Sequence, residues 1–148
     1  MKKVILSLFL GALVSSTAYA RDDVAEFSIA DALAQEAAVE KLGDGVAFYF
    51  ADQEHPAVVK RFVEYGISRK TNAFMKSDEK ACQWVFLSAM IALRDKAVAE
   101  GGNAVINIKS NYKHNLVESK ETFQCGAGAI MAGVALTGTI VTVEKDEL

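Results

Sequence analysis

The stretch SDEKACQWVFLSAMIALRDKAVAEGGNAVINI, residues 77–108, decides the fold. Ser77 is a helix-capping residue type, and Asp78 and Glu79 follow it in the first turn, where the helix dipole favours negative charge. From there Cys82, Phe86, Ala89, Leu93 and Ala97 recur at three- and four-residue spacing, and Trp84, Val85, Met90 and Ile91 are read as widening that stripe. The pattern predicts one helix from Asp78 to Glu100, largely buried against a sheet. Gly101 and Gly102 stop it, and Asn103 to Ile108 follows as a strand in partial apolar and polar alternation.

Working back toward the N-terminus, Val63 to Ser68 alternates as a strand does, while Ala57 to Phe62 reads either way. Pro56 marks a turn, and Val46 to Phe50 is a short aromatic strand closed by the polar residues Asp52 to Glu54. Before it, Ser28 or Asp31 can cap a helix that runs through strong helix formers to Leu42, with Gly43 as its stop. Toward the C-terminus, a polar loop from Tyr112 to Glu121 precedes a block without charge between Glu121 and Glu144. That block is long enough for a bilayer span. Its glycines and threonines, and its end in Thr139 to Val143, favour a bent strand or hairpin. The expected class is therefore α+β: a small mixed or antiparallel sheet, one long helix packed on it, and a shorter N-terminal helix.

The ends carry targeting patterns. Met1-Lys2-Lys3, the apolar run Val4 to Val14 and the small residues Ala18-Tyr19-Ala20 form a secretory leader of bacterial type, with cleavage expected between Ala20 and Arg21. Removing residues 1–20 leaves about 128 residues, an ordinary size for the single domain expected over 21–148. No cysteine stands at the cleavage site, so a free rather than lipid-anchored product is expected, periplasmic or secreted. Lys145-Asp146-Glu147-Leu148 spells the retention address of a eukaryotic endoplasmic reticulum. In a bacterium it is a charged tail. The chain has 16 basic and 19 acidic residues, and the leader removes two bases and no acid. An acidic surface of this kind argues against a nucleic-acid partner, which needs a basic stripe.

Motifs of chemistry fail on inspection. Gly128 and Gly133 have phosphate-loop spacing, but Val134 and Ala135 stand where Lys and a hydroxyl residue are needed. Gly126 and Gly128 lack the third glycine of a dinucleotide fingerprint, since Met131 takes its place. Small residues at a strand bend or at a close backbone approach explain them. Gly66-Ile67-Ser68 lacks the closing glycine of a nucleophile elbow, and His55 and His114 both sit in polar turns. The carboxylates are scattered. No catalytic or cofactor-binding set emerges. Cys82, Cys125, His55 and His114 are too far apart in sequence to form a metal cluster by spacing, and an exported chain with two cysteines more often pairs them in a disulfide than uses them as ligands or free thiols.

At Cys82-Gln83, the long helix, Gly101 to Ile108 and the closing strand from Gly133 to Val143, the chain resembles two related groups. They are the YbjQ-like proteins named for heavy-metal binding and the sensor lipoprotein of the bacterial Rcs envelope-stress pathway. More closely, Ser28 to Leu33, Lys70 to Phe74, Ser77 to Trp84 and Cys125 to Gly133 are similar to small exported proteins that carry the label "excinuclease ATPase subunit". That label conflicts with the residues, because such an enzyme needs phosphate loops and acts on cytoplasmic DNA. The wider resemblance implies an α+β fold and a structural disulfide from positions like Cys82 and Cys125. Geometry agrees: a helix of about 35 Å, and a strand of similar length returning along it, bring Cys125 near the start of the helix beside Cys82. The chain lacks the sensor's other cysteines and its lipid anchor, so the signalling role does not transfer. The expectation is a non-enzymatic envelope or secreted interaction module whose partner is an envelope protein or a small ligand. A metal- or small-ligand-binding periplasmic protein is the alternative, and an enzyme comes third.

Overall fold

A computed structural model describes residues 23–145. The expected leader with its Ala20–Arg21 junction, and Asp146 to Leu148 of the tail, lie outside the described residues. The chain runs β1 (Asp23–Ser28), α1 (Ile29–Leu33), α2 (Glu36–Leu42), β2 (Ala47–Phe50), β3 (Val58–Asn72), α3 (Asp78–Glu100), β4 (Ala104–Tyr112), β5 (Asn115–Val117), β6 (Thr122–Ala127) and β7 (Met131–Val143). The class is α+β. Among the described residues seven strands form one mixed sheet, with β2 parallel to β4 and the other pairs antiparallel.

α3 forms where its pattern puts it. Ser77 Oγ accepts a hydrogen bond from the Lys80 amide at 3.1 Å, and Gly101 ends the helix in the left-handed conformation at φ 83°, which costs a residue without Cβ nothing. The Gly101 and Gly102 amides return to Val98 and Ala97, so these two carbonyls of the last turn are satisfied. Asn103 then pairs its side-chain amide with both backbone groups of Val143 and leads the chain into β4 beside β7. Cys82, Val85, Phe86, Ala89, Met90, Leu93 and Ala97 are fully buried. Trp84 corrects the sequence reading: it is 53 % exposed, and Ile91 is only partly buried. At about 100° per residue Trp84 lies some 200° around the helix from Cys82, on the face turned away from the sheet.

The N-terminal helix is also corrected. It is two short helices, α1 capped by Ser28 Oγ on the Asp31 amide and α2 starting after an extended Gln35 at φ −61°, ψ 137°. Breaking the helix there lets Ile29 and Ala32, then Ala38 and Leu42, all reach the core. Burial overrides the helix propensity of the Ala-rich run. Arg94 of α3 donates to the Lys41 carbonyl at the end of α2. Ahead of α1 the described chain is a strand: β1 pairs with β6 from Asp23↔Ala127 to Ser28↔Thr122.

β7 is the spine of the sheet. One edge carries β3 from Val58↔Val143 to Asn72↔Met131, so the ambiguous Ala57 to Phe62 stretch is strand from Val58 onward. The other edge carries β4 at its C-terminal half and β6 at Gly126↔Gly133 and Ala127↔Ala132. The charge-free block is thus a β6–β7 hairpin, and no helix among the described residues is long and apolar enough to cross a membrane. The expected loop from Tyr112 to Glu121 holds part of β4 and all of β5, joined by Lys113 and His114 at φ 51° and 63°. Two successive positive φ values give the turn whose twist suits a two-residue hairpin.

The sheet curls around α3. Phe27 of β1 lies 5.9 Å from Phe123 of β6, Phe123 stacks on Phe86 of α3 at 4.1 Å, and Phe86 lies 6.2 Å from Phe50 of β2. The two terminal strands of the sheet order, β1 and β2, are therefore linked through the same helical ring, β2 directly and β1 by way of Phe123. The Cys82–Cys125 disulfide fastens α3 to β6 beside this column, with both residues fully buried and their Cα atoms 5.9 Å apart.

Candidate interaction surface

The residues singled out for chemistry do not converge. His55 binds the Pro56 carbonyl through Nδ1 at 2.8 Å in the exposed β2–β3 loop, and His114 is in the β4–β5 turn. Cys82 and Cys125 are closed in the disulfide. Among the described residues no group of three or more His, Cys, Asp or Glu is placed to hold a metal ion. Lys96, on the surface of α3, is held above the ordinary lysine range by its hydrogen bond and charge pairing with Glu100.

A different place stands out. β3 ends at Asn72 opposite Met131, the first residue of β7, so the β3–α3 connection and the β6–β7 turn meet at one end of the sheet. The Ala73 amide donates to the Ile130 carbonyl at 2.6 Å, and the Gly128 amide donates to the Met131 carbonyl at 2.8 Å, closing the hairpin. Asn72 Oδ1 accepts from the Phe74 amide at 2.8 Å, and the Lys76 amide returns to the Ala73 carbonyl. Both turns are therefore built by internal hydrogen bonds. On them four large apolar side chains, Phe74, Met75, Ile130 and Met131, face solvent, Met75 at 90 % exposure.

Met75 also has φ 59°, a conformation that costs an L-residue roughly 1–2 kcal/mol and that glycine adopts freely. An exposed side chain recovers none of that by burial. The segments that build this end, residues 65–77 and 122–143, contain no acid, and their only charges are Arg69, Lys70 and Lys76.

Two concavities flank the end. On the outer face of the sheet a cleft of about 540 Å³ is lined by Lys70, Tyr112, Gly128, Ile130 and Met131. Tyr112 lies flat on the Gly126↔Gly133 pair, where a Cβ on Gly126 would collide with its ring. The glycines thus serve close packing against an aromatic ring, in an antiparallel hairpin rather than a phosphate-binding turn. On the helical side a groove of about 360 Å³ runs between the two short helices and α3, lined by Gln35, Ala37, Lys76, Lys80, Gln83 and Trp84. No family model, curated protein or solved structure matches the chain.

The sequence reading met Met131 only as the residue in place of a third glycine and Phe74 only within a stretch that carries the resemblance, and it took none of the four exposed apolar residues for a surface. Phe74 and Met75 sit between a strand and a helix with no periodic partner, so pattern analysis passes over them. The available signal was local: Asn72, a turn former, is followed directly by apolar residues that neither neighbouring element needs.

Proposed function

We propose that residues 21–148 act as an exported, non-enzymatic interaction module of the envelope or the secreted fraction, released by cleavage between Ala20 and Arg21. Its contact surface is the hairpin end. The observation that carries the reading is the exposure of Phe74, Met75, Ile130 and Met131 on two turns bonded to each other, at a backbone cost paid at Met75. A buried disulfide suits an oxidising compartment. The leader pattern supports export independently.

Site-specific photo-crosslinking in living cells tests the surface. A photoreactive residue in place of Met75 is expected to give an adduct. The same residue in place of Val59, exposed at the opposite end of β3, is expected to give none. Equal labelling at the two positions, or none at Met75, contradicts the reading. A small-ligand binder is the second reading, favoured by the Trp84 groove, whose volume is within the range of small-molecule sites. That reading makes Trp84→Ala the damaging change and leaves Met75 dispensable.

A further inference from the structure

We propose that the partner met by the hairpin end is an anionic lipid surface, an inference that rests on the interaction-module reading above. The chemistry of the end has two parts. The first is apolar: Phe74 and Met75 are exposed on one turn, and Ile130 and Met131 are exposed where the other turn enters β7, at the border of the open cleft on the outer face of the sheet. Such side chains suit a fluid acyl boundary, which asks for no fixed shape in return.

The second part is charge. Arg69, Lys70 and Lys76 occupy the acid-free segments, and Lys80 lies one turn into α3. Among the described residues none of these four forms an ion pair with a carboxylate, and Lys76 Nζ is held by the Asn72 carbonyl at the base of the turn. Asp23, Asp78 and Glu79 border the same end, and Arg69, Lys70, Lys76 and Lys80, with Lys113 beside Ile130 and Met131, outnumber them in a chain that is acidic as a whole. Apolar insertion and a basic rim are each too weak alone for stable attachment and act together on membranes that carry anionic headgroups. The chain's own path agrees. Asp23 pairs with Ala127, the residue before the β6–β7 turn, so residues 1–22 join the fold at this same end.

Co-sedimentation of the exported protein, disulfide intact, with vesicles of phosphatidylethanolamine and phosphatidylglycerol tests this against vesicles of phosphatidylcholine alone. Binding is expected to the anionic vesicles and to weaken as salt rises. The Phe74→Ser/Met75→Gly variant keeps the turn, because glycine suits the φ of position 75, and is expected to bind roughly tenfold more weakly or worse. Lys70→Glu/Lys76→Glu is expected to remove the preference for anionic vesicles, and Val59→Ser to change nothing. Wild-type protein left in the supernatant with anionic vesicles overturns the proposal, as does undiminished binding by both altered proteins. No vesicle binding together with a protein adduct at Met75 overturns the lipid partner and leaves the module. Failure of both overturns both.

Discussion

Phe86→Ala is expected to destabilise the protein by about 3–5 kcal/mol, the usual cost of deleting a fully buried ring. Phe86 is the only part of α3 in the aromatic column that links β1 to β2, stacked on Phe123 at 4.1 Å and 6.2 Å from Phe50. Its loss leaves a hole bordered by a helix and strands that are already fixed by sheet hydrogen bonds and by the disulfide, so the site cannot collapse to fill it. Against a total stability of about 5–15 kcal/mol, such a variant stands near the threshold of folding. Urea titration followed by circular dichroism measures the effect, as a lower midpoint with unchanged slope. Trp84→Ala is the control. It removes a larger ring two positions away on the same helix, but from the exposed face, and is expected to cost under about 1 kcal/mol. Equal losses in the two variants would contradict the burial described here.

Replacing both half-cystines, Cys82→Ala/Cys125→Ala, is expected to cost roughly 4 kcal/mol by the chain-entropy relation for a loop of this length. The cross-link spans 43 positions, from the second turn of α3 across all of β4 and β5 to β6. In the unfolded chain it keeps these elements within reach of one another. The expected fall in melting temperature is on the order of 10–20 °C for a domain of this size. Thermal unfolding of the variant beside the oxidised protein gives the number, and a shift of only about 2 °C would contradict it. Both sulfurs are fully buried, so reductant is expected to act on the native protein only through its opening.

How far the fold could be read follows from how local its causes are. α3 was legible because its cap, stripe and glycine stop all lie within one stretch. The β6–β7 hairpin was legible from the absence of charge and the presence of β-branched residues and glycines. The disulfide followed from a cysteine count of two, the resemblance and the lengths of two elements. The sequence could not show what only tertiary contact decides. β1 is a strand because β6 offers it an edge, and its charged beginning hides that. The Ala-rich run breaks at Gln35 to place four side chains in one core. Trp84 was misread because apolar identity was taken for burial, though its angle on the helix was available in the sequence. The hairpin end depends on Asn72 and Met131 facing each other across 59 positions of chain, a juxtaposition that no local pattern encodes.

Export decides whether the rest stands, since the oxidised cysteine pair and an envelope-facing surface both presuppose it. The most direct measurement is the intact mass of the protein recovered from the periplasmic or secreted fraction without reductant. The mass expected is that of Arg21 to Leu148, lighter than the dithiol form by the two hydrogens a disulfide removes. A species that retains residues 1–20, or one that carries two free thiols, would contradict it.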